Sequence, residues 1–264
     1  MDFLYETHLH TNQSSGCGHS KGSEYIGIYK DLGFSGFFVT DHFFRGNTAT
    51  DRNLPWREWV NGFCKGYEDA LNEGIKKGFD VFFGWEETYD GDDYLVYGLD
   101  KNWLYEHPEV RYWTRGQQYE AVKEAGGAVV QAHPFRQHSY INTVHLSTGC
   151  VDGVEAANLG NEDRSYDPLA MRYGSRFGFA ITAGSDTHSV SAVQNSGTYG
   201  IYLKEKLDSA AAYAKIIREK RIDGLKMPAD RCQLDGSESV LLPVVIRDRD
   251  DKPSGNNWRA LLGL

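Results

Sequence analysis

Cysteines are few in this sequence, and long hydrophobic runs are missing. The four cysteines, Cys17, Cys64, Cys150 and Cys232, show no C-x-x-C spacing, which favours reduced thiols over a disulfide framework. No apolar stretch approaches the roughly 20 residues that are needed to span a membrane. The first polar motif begins at His8, which leaves no room for a cleavable signal peptide. We therefore expect a cytoplasmic protein without a membrane partner.

Basic residues are also fewer than acidic residues. The 264 residues include 28 Lys and Arg against 37 Asp and Glu, a formal net charge of -9. This balance argues against a broad basic surface for nucleic acid or anionic lipid. It does not exclude a small anionic substrate, because divalent cations in a pocket would set the local field there. The composition is ordinary for a globular protein, and we expect a single domain over residues 1–264.

Several common catalytic motifs are missing as well. The sequence contains no G-x-G-x-x-G, no Walker loop and no G-x-S-x-G, so a nucleotide-cofactor enzyme and a serine hydrolase have no support. It has instead pairs of polar residues directly after short apolar runs. His8 and His10 follow the run Met1 to Tyr5, and Asp186 and His188 follow Phe177 to Thr182. Residues i and i+2 of a strand face the same way, so each pair presents two possible metal ligands side by side.

Three further apolar runs end in the same manner. Asp41 and His42 follow Phe37 to Thr40, Glu86 and Glu87 follow Phe79 to Trp85, and His133 follows Ala128 to Ala132. These predicted strands alternate with helical patterns, among them one long helix predicted from Pro55 to about Lys77, so a parallel sheet is expected. In a closed α/β barrel, the carboxyl ends of separate strands converge on one face. An open doubly wound sheet would gather fewer of them.

Five short motifs occur in a fixed order between residue 5 and about residue 190. They are Thr-His-Leu-His-Thr, Thr-Asp-His, Gly-Trp-Glu, Ala-His-Pro and Gly-Ser-Asp-Thr-His. Each motif alone is weak evidence, but the ordered set resembles the polymerase and histidinol phosphatase (PHP) family of metal-dependent phosphoesterases. The resemblance implies an α/β fold of the PHP type, a distorted (β/α)7 TIM-like barrel, with divalent ions at its C-terminal mouth.

The resemblance also implies a set of ligands. By position, His8, His10, Glu86 and Asp186 would surround one ion. Glu86 would bridge to a second ion that also takes His133, and His42 and His188 would hold a third. We therefore predict two to three divalent ions. Mixed imidazole and carboxylate ligands favour manganese, iron or zinc, whereas an all-oxygen shell favours magnesium or calcium.

Two positions depart from the family pattern. The family usually places an Asp or His several residues after the first His pair, and here that loop reads Ser14-Ser15-Gly16-Cys17-Gly18-His19. We expect His19, ahead of Cys17, to reach the site. The family also often has a His shortly after the bridging Glu, and none lies between Glu87 and Lys101. Asp93 is the best replacement, with Asp92 behind it.

Two arginines are candidates for binding a substrate phosphate, which guanidinium groups hold through paired hydrogen bonds. Arg136 lies three residues after His133, and Arg45 lies at a similar distance after His42. Both could instead be solvated loop residues, an interpretation that fits Arg45 better than Arg136.

Other polar residues near the strand ends have competing interpretations. Strand alternation puts Glu86 and Glu87 on opposite faces, and the resemblance selects Glu86. Asp41 is either a carboxylate that supports a ligand or a helix cap, and Asn158 either supports the site or faces the substrate. Surface positions are expected for three histidines, of which the last two lie on a loop that could overhang the mouth: His107, His138 and His145.

The predicted reaction is hydrolysis of a small phosphate monoester, in the manner of a histidinol phosphatase. A hydroxide bridging two ions would attack, Arg136 would help to hold the phosphoryl group, and Asp186 or His188 would relay the proton. A phosphodiesterase or nucleotide phosphatase is the alternative on the same site, and a hydrolase of C-N bonds is a more distant one. From a different class, the chain could be a metal-binding or regulatory module without turnover.

Overall fold

The computed structural model describes residues 2–255 and 257–264, which form an α/β structure. Its strands are β1 (Phe3–Glu6), β2 (Gly36–Val39), β3 (Asp80–Tyr89), β4 (Asp92–Tyr97), β5 (Ala128–Gln131), β6 (Val144–Ser147), β7 (Gly153–Asn158), β8 (Ala180–Gly184), β9 (Gly200–Leu203), β10 (Gly224–Lys226) and β11 (Val244–Arg247). Its α-helices are α1 (Gly22–Asp31), α2 (Trp56–Phe63), α3 (Lys65–Lys77), α4 (Lys101–Glu106), α5 (Arg115–Glu124), α6 (Tyr166–Phe177), α7 (Val190–Ser196), α8 (Ala210–Glu219) and α9 (Trp258–Leu262).

One sheet of nine strands dominates the molecule, in the order β10-β9-β1-β2-β3-β4-β5-β7-β8. Strands β1, β2 and β3 are parallel, and so are β5, β7 and β8. Because β4 is antiparallel to both β3 and β5, the two parallel sets point in the same direction. Their carboxyl ends therefore lie at one mouth, as in other α/β barrels.

Strands β1 and β8 meet at a seam that brings the two parts of the sheet together. Thr7 Oγ1 donates to the Ala183 carbonyl at 2.9 Å. The buried Glu6 carboxylate accepts the backbone N–H groups of His8 and Ser185, each at 2.9 Å. These contacts leave the sheet nearly closed, and the predicted distorted α/β barrel is confirmed.

Aromatic side chains fill the barrel on the side away from this mouth. Phe38 is fully buried, with ring centroids 5.0 Å from Phe82, 5.2 Å from Tyr97 and 4.7 Å from Tyr213. Tyr213 belongs to α8, which contacts β3, β4, β5 and β8. Helix α8 therefore closes the barrel, and the opposite end stays open for polar side chains.

A small second sheet lies beside the barrel. Strands β6 and β11 pair in parallel, with Val144 opposite Val244. Their apolar side chains pack with Leu169 and Tyr173 of α6 and with Leu262 of α9. This packing attaches the C-terminal part of the chain to the barrel.

The long helix predicted from Pro55 to Lys77 is wrong in its extent. The chain forms α2 and α3 instead, which meet at Cys64. The break lets the Gly66 N–H donate to Ser14 Oγ at 3.2 Å. A Cβ atom on Gly66 would lie only 2.0 Å from Thr11 Oγ1, so α3 begins pressed against the loop that follows β1.

Two strand bounds also differ from prediction. The strand predicted from Met1 to Tyr5 corresponds to β1, which begins at Phe3, and Met1 lies outside the described residues. The strand predicted from Phe177 starts later, because Phe177 ends α6 and Gly178 takes a left-handed φ of 65° there. None of the helices in the described ranges combines the length and apolar character needed to cross a membrane.

Candidate metal centre

Four overlapping groups of side chains bring possible ligand atoms together at the barrel mouth. Within each group, the imidazole nitrogens and carboxylate oxygens lie within 4.8 Å of one another. Among the described residues, the groups are His8, His10 and Glu86; His8, His133 and Asp186; Glu86, Asp93 and His133; and His10, His42 and His188. Each member is one of the ligands predicted from the sequence.

The exits of β1 and β8 and the middle of β3 supply the most closely packed part of the centre. The Nε2 atoms of His8 and His10 are 3.1 Å apart. Glu86 Oε1 lies 3.1 Å from His8 Nε2, and Asp186 Oδ1 lies 3.1 Å from His10 Nε2. Two imidazole nitrogens and two carboxylate oxygens therefore face one small space, and manganese, iron and zinc accept this donor set.

A second part of the centre joins Glu86 to His133 and Asp93. His133 Nε2 is 3.3 Å from Glu86 Oε1 and 3.9 Å from Asp93 Oδ2. Thr88 Oγ1 donates to Asp93 Oδ1 at 2.5 Å. Asp93 thus takes part in the group for which the resemblance implied a histidine after Glu86, whereas Asp92 lies outside the four groups.

The third part of the centre faces the solvent. His42 Nδ1 lies 2.8 Å from Glu86 Oε2, and the His188 ring centroid lies 4.3 Å from that of His10. The His42 and His188 side chains are 14% and 30% exposed, respectively. They are therefore the ligand candidates that a molecule arriving from solvent would meet first.

Glu86 is the central side chain, and its surroundings are unusual. Both of its oxygens are buried and lack a hydrogen bond within the described residues, although four imidazoles surround the carboxylate: His8, His10, His42 and His133. An unsatisfied buried carboxylate is costly. Close approach without hydrogen bonding is the arrangement expected of ligands aimed at a common cation, so the residues present fit a divalent metal ion.

Two histidines of the centre are oriented by hydrogen bonds from Nδ1. The His8 Nδ1–H donates to the buried Glu155 carboxylate at 3.0 Å. The His188 Nδ1–H donates to the Asp186 carbonyl at 2.9 Å. A ring that donates through Nδ1 keeps the lone pair on Nε2, which is the form that binds metals.

Asp41 supports His10 through a serine. The His10 Nδ1–H donates to Ser15 Oγ at 3.2 Å, and Ser15 in turn donates to Asp41 at 2.6 Å. Asp41 also accepts the Thr11 N–H at 2.6 Å. Of its two interpretations, the structure favours a carboxylate that supports a ligand, because α2 begins only at Trp56.

Glu155 is the functional residue that sequence reasoning missed. It lies in β7, fully buried, and besides His8 it binds the His133 N–H at 3.2 Å and Asn158 Nδ2 at 2.7 Å. A signal was present, because a carboxylate in the middle of a buried apolar strand requires polar partners. Asn158, for its part, supports the site through Glu155.

Two residues of the centre have strained backbones. His133 has φ 28° and Asp186 has φ 51°, in the left-handed region that side chains other than glycine rarely adopt. Such conformations cost on the order of 1–3 kcal/mol each and concentrate at functional sites. These conformations therefore lower the stability of the fold, and they set the directions of the His133 and Asp186 side chains.

In the metal-free protein, neighbouring positive charges lower the pKa values of the two central carboxylates and so favour their ionised forms. Burial alone would raise the pKa of Asp186, but the charges of His8 and Arg136 outweigh burial and hold this pKa well below its ordinary value. The charges of His8 and His42 overcome burial in the same way and hold the pKa of Glu86 well below its ordinary value. Both side chains are thus in the form that attracts a cation.

The loop after β1 brings Cys17, rather than His19, to the cavity over the centre. His19 is exposed, and neither His19 nor Cys17 belongs to the four groups. Cys17 is half-buried. Burial raises the pKa of its thiol, but hydrogen bonds with His188 and His42 outweigh that effect and lower the pKa to about 6.

A cavity of about 530 Å³ opens over the clustered side chains. Its walls carry Cys17, Arg45, Arg136, His138 and Tyr140 in addition to the candidate ligands. A volume of this order suits a small organic molecule.

Arg136 uses part of its guanidinium group in contacts with other side chains of the protein. Its Nη1 lies 2.7 Å from Asp186 Oδ2, Nη2 donates to Asn158 Oδ1 at 2.8 Å, and Nε donates to Asn161 Oδ1 at 2.9 Å. A guanidinium has five N–H donors. Arg136 therefore positions Asp186 and still has donors for a molecule in the cavity.

Arg45 is held by neighbouring groups at the edge of the cavity. Its backbone N–H donates to Glu87 Oε1 at 2.9 Å, and its Nη2 donates to the Trp113 carbonyl at 2.6 Å. Glu87 thus points away from the ligand groups, on the other face from Glu86, as strand alternation predicts.

The three remaining histidines differ in their surroundings. His107 Nδ1 donates to the Trp103 carbonyl at 2.7 Å, away from the centre. His138 stacks on Tyr140 with ring centroids 5.0 Å apart, at the cavity wall. The surface position expected for His145 is wrong, because His145 is 5% exposed and its Nδ1–H donates to Asp92.

Comparison with solved structures identifies the architecture. A two-domain protein from Bacteroides vulgatus, which contains a predicted PHP-like metal-dependent phosphoesterase, aligns with 84% of this chain at a TM-score of 0.58 and 13% identity. The chain has the PHP-type fold. It spans 64% of that two-domain protein.

Two further solved structures align with most of this chain. PsfC from Pseudomonas syringae aligns with 88% of this chain and 93% of its own at a TM-score of 0.50 and 14% identity. An amidohydrolase from Chromobacterium violaceum, with bound sulfate and no metal, aligns with 86% of this chain and 99% of its own at a TM-score of 0.50 and 13% identity. No family model and no curated protein matches the sequence.

Proposed function

We propose that this chain is a metal-dependent phosphoesterase that hydrolyses a small phosphate monoester at the barrel mouth. The observation that carries the proposal is the buried Glu86 carboxylate, whose two oxygens have no hydrogen bond among the residues that the structure describes while four imidazoles surround it. Such a carboxylate suits a bridge between two cations. The PHP-type fold agrees with this assignment.

The proposed ligands follow the side-chain groups. His8, His10 and Glu86, joined by Asp186 through its contacts with both histidines, would hold one ion. Glu86, Asp93 and His133 would hold a second, and His42 and His188 would take part in a third. Mixed nitrogen and oxygen donors favour manganese, iron or zinc. When bound, such ions supply an activated water and neutralise charge on phosphoryl oxygens.

The residues of this chain would divide the remaining work. Arg136 would donate its free N–H groups to a phosphoryl oxygen, since its other donors already fix its plane against Asp186, Asn158 and Asn161. Of the two candidates for proton relay, His188 fits better in a centre with two ions, where no third ion would occupy its Nε2 and its Nδ1 keeps the hydrogen bond to the Asp186 carbonyl. It is 30% exposed at the cavity, whereas the low pKa of Asp186 makes that carboxylate a poor proton acceptor.

The first test is metal analysis of protein purified without chelators, followed at once by an assay with p-nitrophenyl phosphate. We expect two or three ions per chain and turnover. Asp186→Ala should lose both, while Asp31→Ala, which removes an exposed carboxylate at the end of α1, should keep both. Full turnover after complete metal removal would contradict the proposal.

A substrate panel then defines the reaction. Phosphate monoesters should be hydrolysed faster than matched diesters and nucleotides, and much faster than amides of cyclic or linear type. Preference for diesters would move the assignment to a phosphodiesterase, and amide hydrolysis would move it to C-N bond chemistry. Bound metal without turnover on the whole panel would support a non-catalytic metal-binding module.

A further inference from the structure

Arg231 is a buried cation far beyond the last of the five ordered motifs. It lies in the loop between β10 and β11 and is 7% exposed. Its Nε donates to the Asp167 carboxylate. Its Nη2 donates to the Asn161 carbonyl at 3.3 Å and to the Asn158 carbonyl at 3.4 Å. Arg231 therefore joins a late part of the chain to the turn that follows β7.

Asp167 passes this contact on to a side-chain amide. It lies in the first turn of α6 and is 1% exposed. Its Oδ2 accepts from Arg231, and its Oδ1 accepts from Asn161 Nδ2 at 2.6 Å. An ionised carboxylate only accepts hydrogen bonds. The Asn161 amide must therefore turn its NH₂ group toward Asp167 and its oxygen the other way.

The guanidinium of Arg136 lies on that other side. Its Nε donates to Asn161 Oδ1 at 2.9 Å. Asn158 is held in the same manner, because its Nδ2 donates to Glu155 at 2.7 Å and its Oδ1 accepts from Arg136 Nη2 at 2.8 Å. Two buried carboxylates thus turn two amide oxygens toward one guanidinium.

The turn between the two asparagines packs tightly against this guanidinium. The Asn161 N–H donates to the Asn158 carbonyl at 3.2 Å. A Cβ atom on Gly160 would lie 3.0 Å from Asn158 Oδ1 and 3.2 Å from Arg136 Nη2. Because so little space is left, a displacement of the turn would also displace Arg136.

We propose that Arg231 is a positioning residue for Arg136 and acts through Asp167 and Asn161. The inference rests on the proposed function, in which Arg136 holds a phosphoryl oxygen. With Arg231 in place, Asp167 fixes the Asn161 amide, and the amide fixes the plane of the guanidinium. The remaining N–H groups of Arg136 then stay directed at the cavity that this residue lines.

Loss of Arg231 would release this arrangement one contact at a time. The Asp167 carboxylate would lose the partner of its Oδ2 and rotate. The Asn161 amide would then be able to turn its NH₂ group toward the Arg136 Nε–H. Two donors would face each other, and Arg136 would no longer be held in one plane.

The first test follows the Arg136 Nε–H itself, by NMR of arginine side chains in the metal-free protein. This hydrogen-bonded group should exchange slowly with water, and Arg136→Lys identifies its signal by removing it. Arg231→Gln should speed the exchange at least about tenfold. Arg164→Gln, the matched control, removes an exposed arginine that pairs with the exposed Asp230 at 3.4 Å, and it should leave the exchange unchanged.

The second test is calorimetric titration of the Mn²⁺-loaded protein with inorganic phosphate. Arg231→Gln should bind phosphate at least about fivefold more weakly, with an unchanged metal content. Asn161→Ala should show a similar loss. Effects of independent residues multiply, whereas residues that act in one series do not add. The double variant should therefore stay within about twofold of the weaker single variant.

The outcomes separate this inference from the proposed function. Unchanged exchange in Arg231→Gln, or losses that multiply in the double variant, would overturn the positioning role. A wild type that binds phosphate without hydrolysing p-nitrophenyl phosphate would overturn the phosphoesterase and leave the role of Arg231 to the phosphate affinities. A wild type that binds no phosphate would overturn both.

A second variant covers the case in which Arg231→Gln fails to fold, which circular dichroism would show. Arg231→Lys keeps a positive charge beside Asp167, but an ammonium group lacks the planar fork that reaches the two carbonyls. The exchange of the Arg136 Nε–H should then rise at least about threefold. Exchange at the wild-type rate in this folded variant would overturn the inference.

Discussion

Replacing Glu155 by glutamine should impair metal binding while leaving the fold intact. One carboxylate oxygen accepts from His8 Nδ1, and the other accepts from the His133 N–H and Asn158 Nδ2. In Glu155→Gln, the amide oxygen keeps the two partners of the second oxygen. The amide NH₂ then donates to His8 Nδ1, so the imidazole proton must move to Nε2. Nε2 is the nitrogen whose lone pair is needed to bind a metal ion.

The expected magnitude follows from that tautomer change. Supporting residues of metal ligands typically change metal affinity by about 10–100-fold, which corresponds to about 1.4–2.7 kcal/mol. Because each hydrogen bond is kept in some form, the free energy of unfolding of the metal-free protein should change by less than about 1.5 kcal/mol.

The assay is competition of the metal-free variant against a chelating dye for Zn²⁺, with urea denaturation alongside. The matched control is Asp92→Asn, which alters the corresponding carboxylate on His145 Nδ1 outside the ligand groups and should leave Zn²⁺ affinity unchanged. An affinity of Glu155→Gln within about threefold of wild type would refute the argument that Glu155 sets the tautomer of His8.

Three other predictions test separate parts of the structure. Arg136→Lys should destabilise the protein by about 2–4 kcal/mol in urea denaturation, because two buried asparagine oxygens lose their donors; an unchanged midpoint would contradict this role. In metal-free protein, iodoacetamide should modify Cys17 first, because burial raises the pKa of the other three cysteines. The rate at Cys17 should rise as the pH passes about 6. Equal labelling of all four cysteines, measured by mass spectrometry, would argue against this prediction. Phe38→Ala should cost about 3–5 kcal/mol of unfolding free energy, and a loss under about 1 kcal/mol would show that this buried ring does not pack as described.

The ligand pairs could be predicted because strand geometry is local. His8 and His10 face one way whatever the rest of the fold does, since alternate residues of an extended segment share a face. The same alternation separated Glu86 from Glu87. The ordered motifs then selected the barrel that brings these pairs together.

Contacts between distant residues could not be predicted in this way. Glu155 meets His8 across 147 positions of the chain, and His145 meets Asp92 across 53. No local pattern records such partners. The break between α2 and α3 has the same origin, because it depends on Gly66 packing against Thr11 and Ser14.

Whether His19 or Cys17 faces the cavity depends on the conformation of the loop at a single residue, Gly18. Both side chains carry a possible ligand atom, and the sequence places them two positions apart. The close packing of Gly18 against Thr11 fixes the turn and so decides which of the two side chains faces the cavity. Residue type alone favoured the imidazole, and backbone packing favoured the thiol.

The seam between β1 and β8 has a consequence for how the protein matures. Glu6 and Ser185 are 179 positions apart, and His8 and Asp186 lie directly beside them. During synthesis, His8 and His10 emerge well before Asp186 does. Partially synthesised chains therefore cannot assemble the ion pocket. An ion that binds the native state alone would therefore stabilise the chain only after this seam has formed, by about 2.7 kcal/mol at a free concentration of 100 Kd.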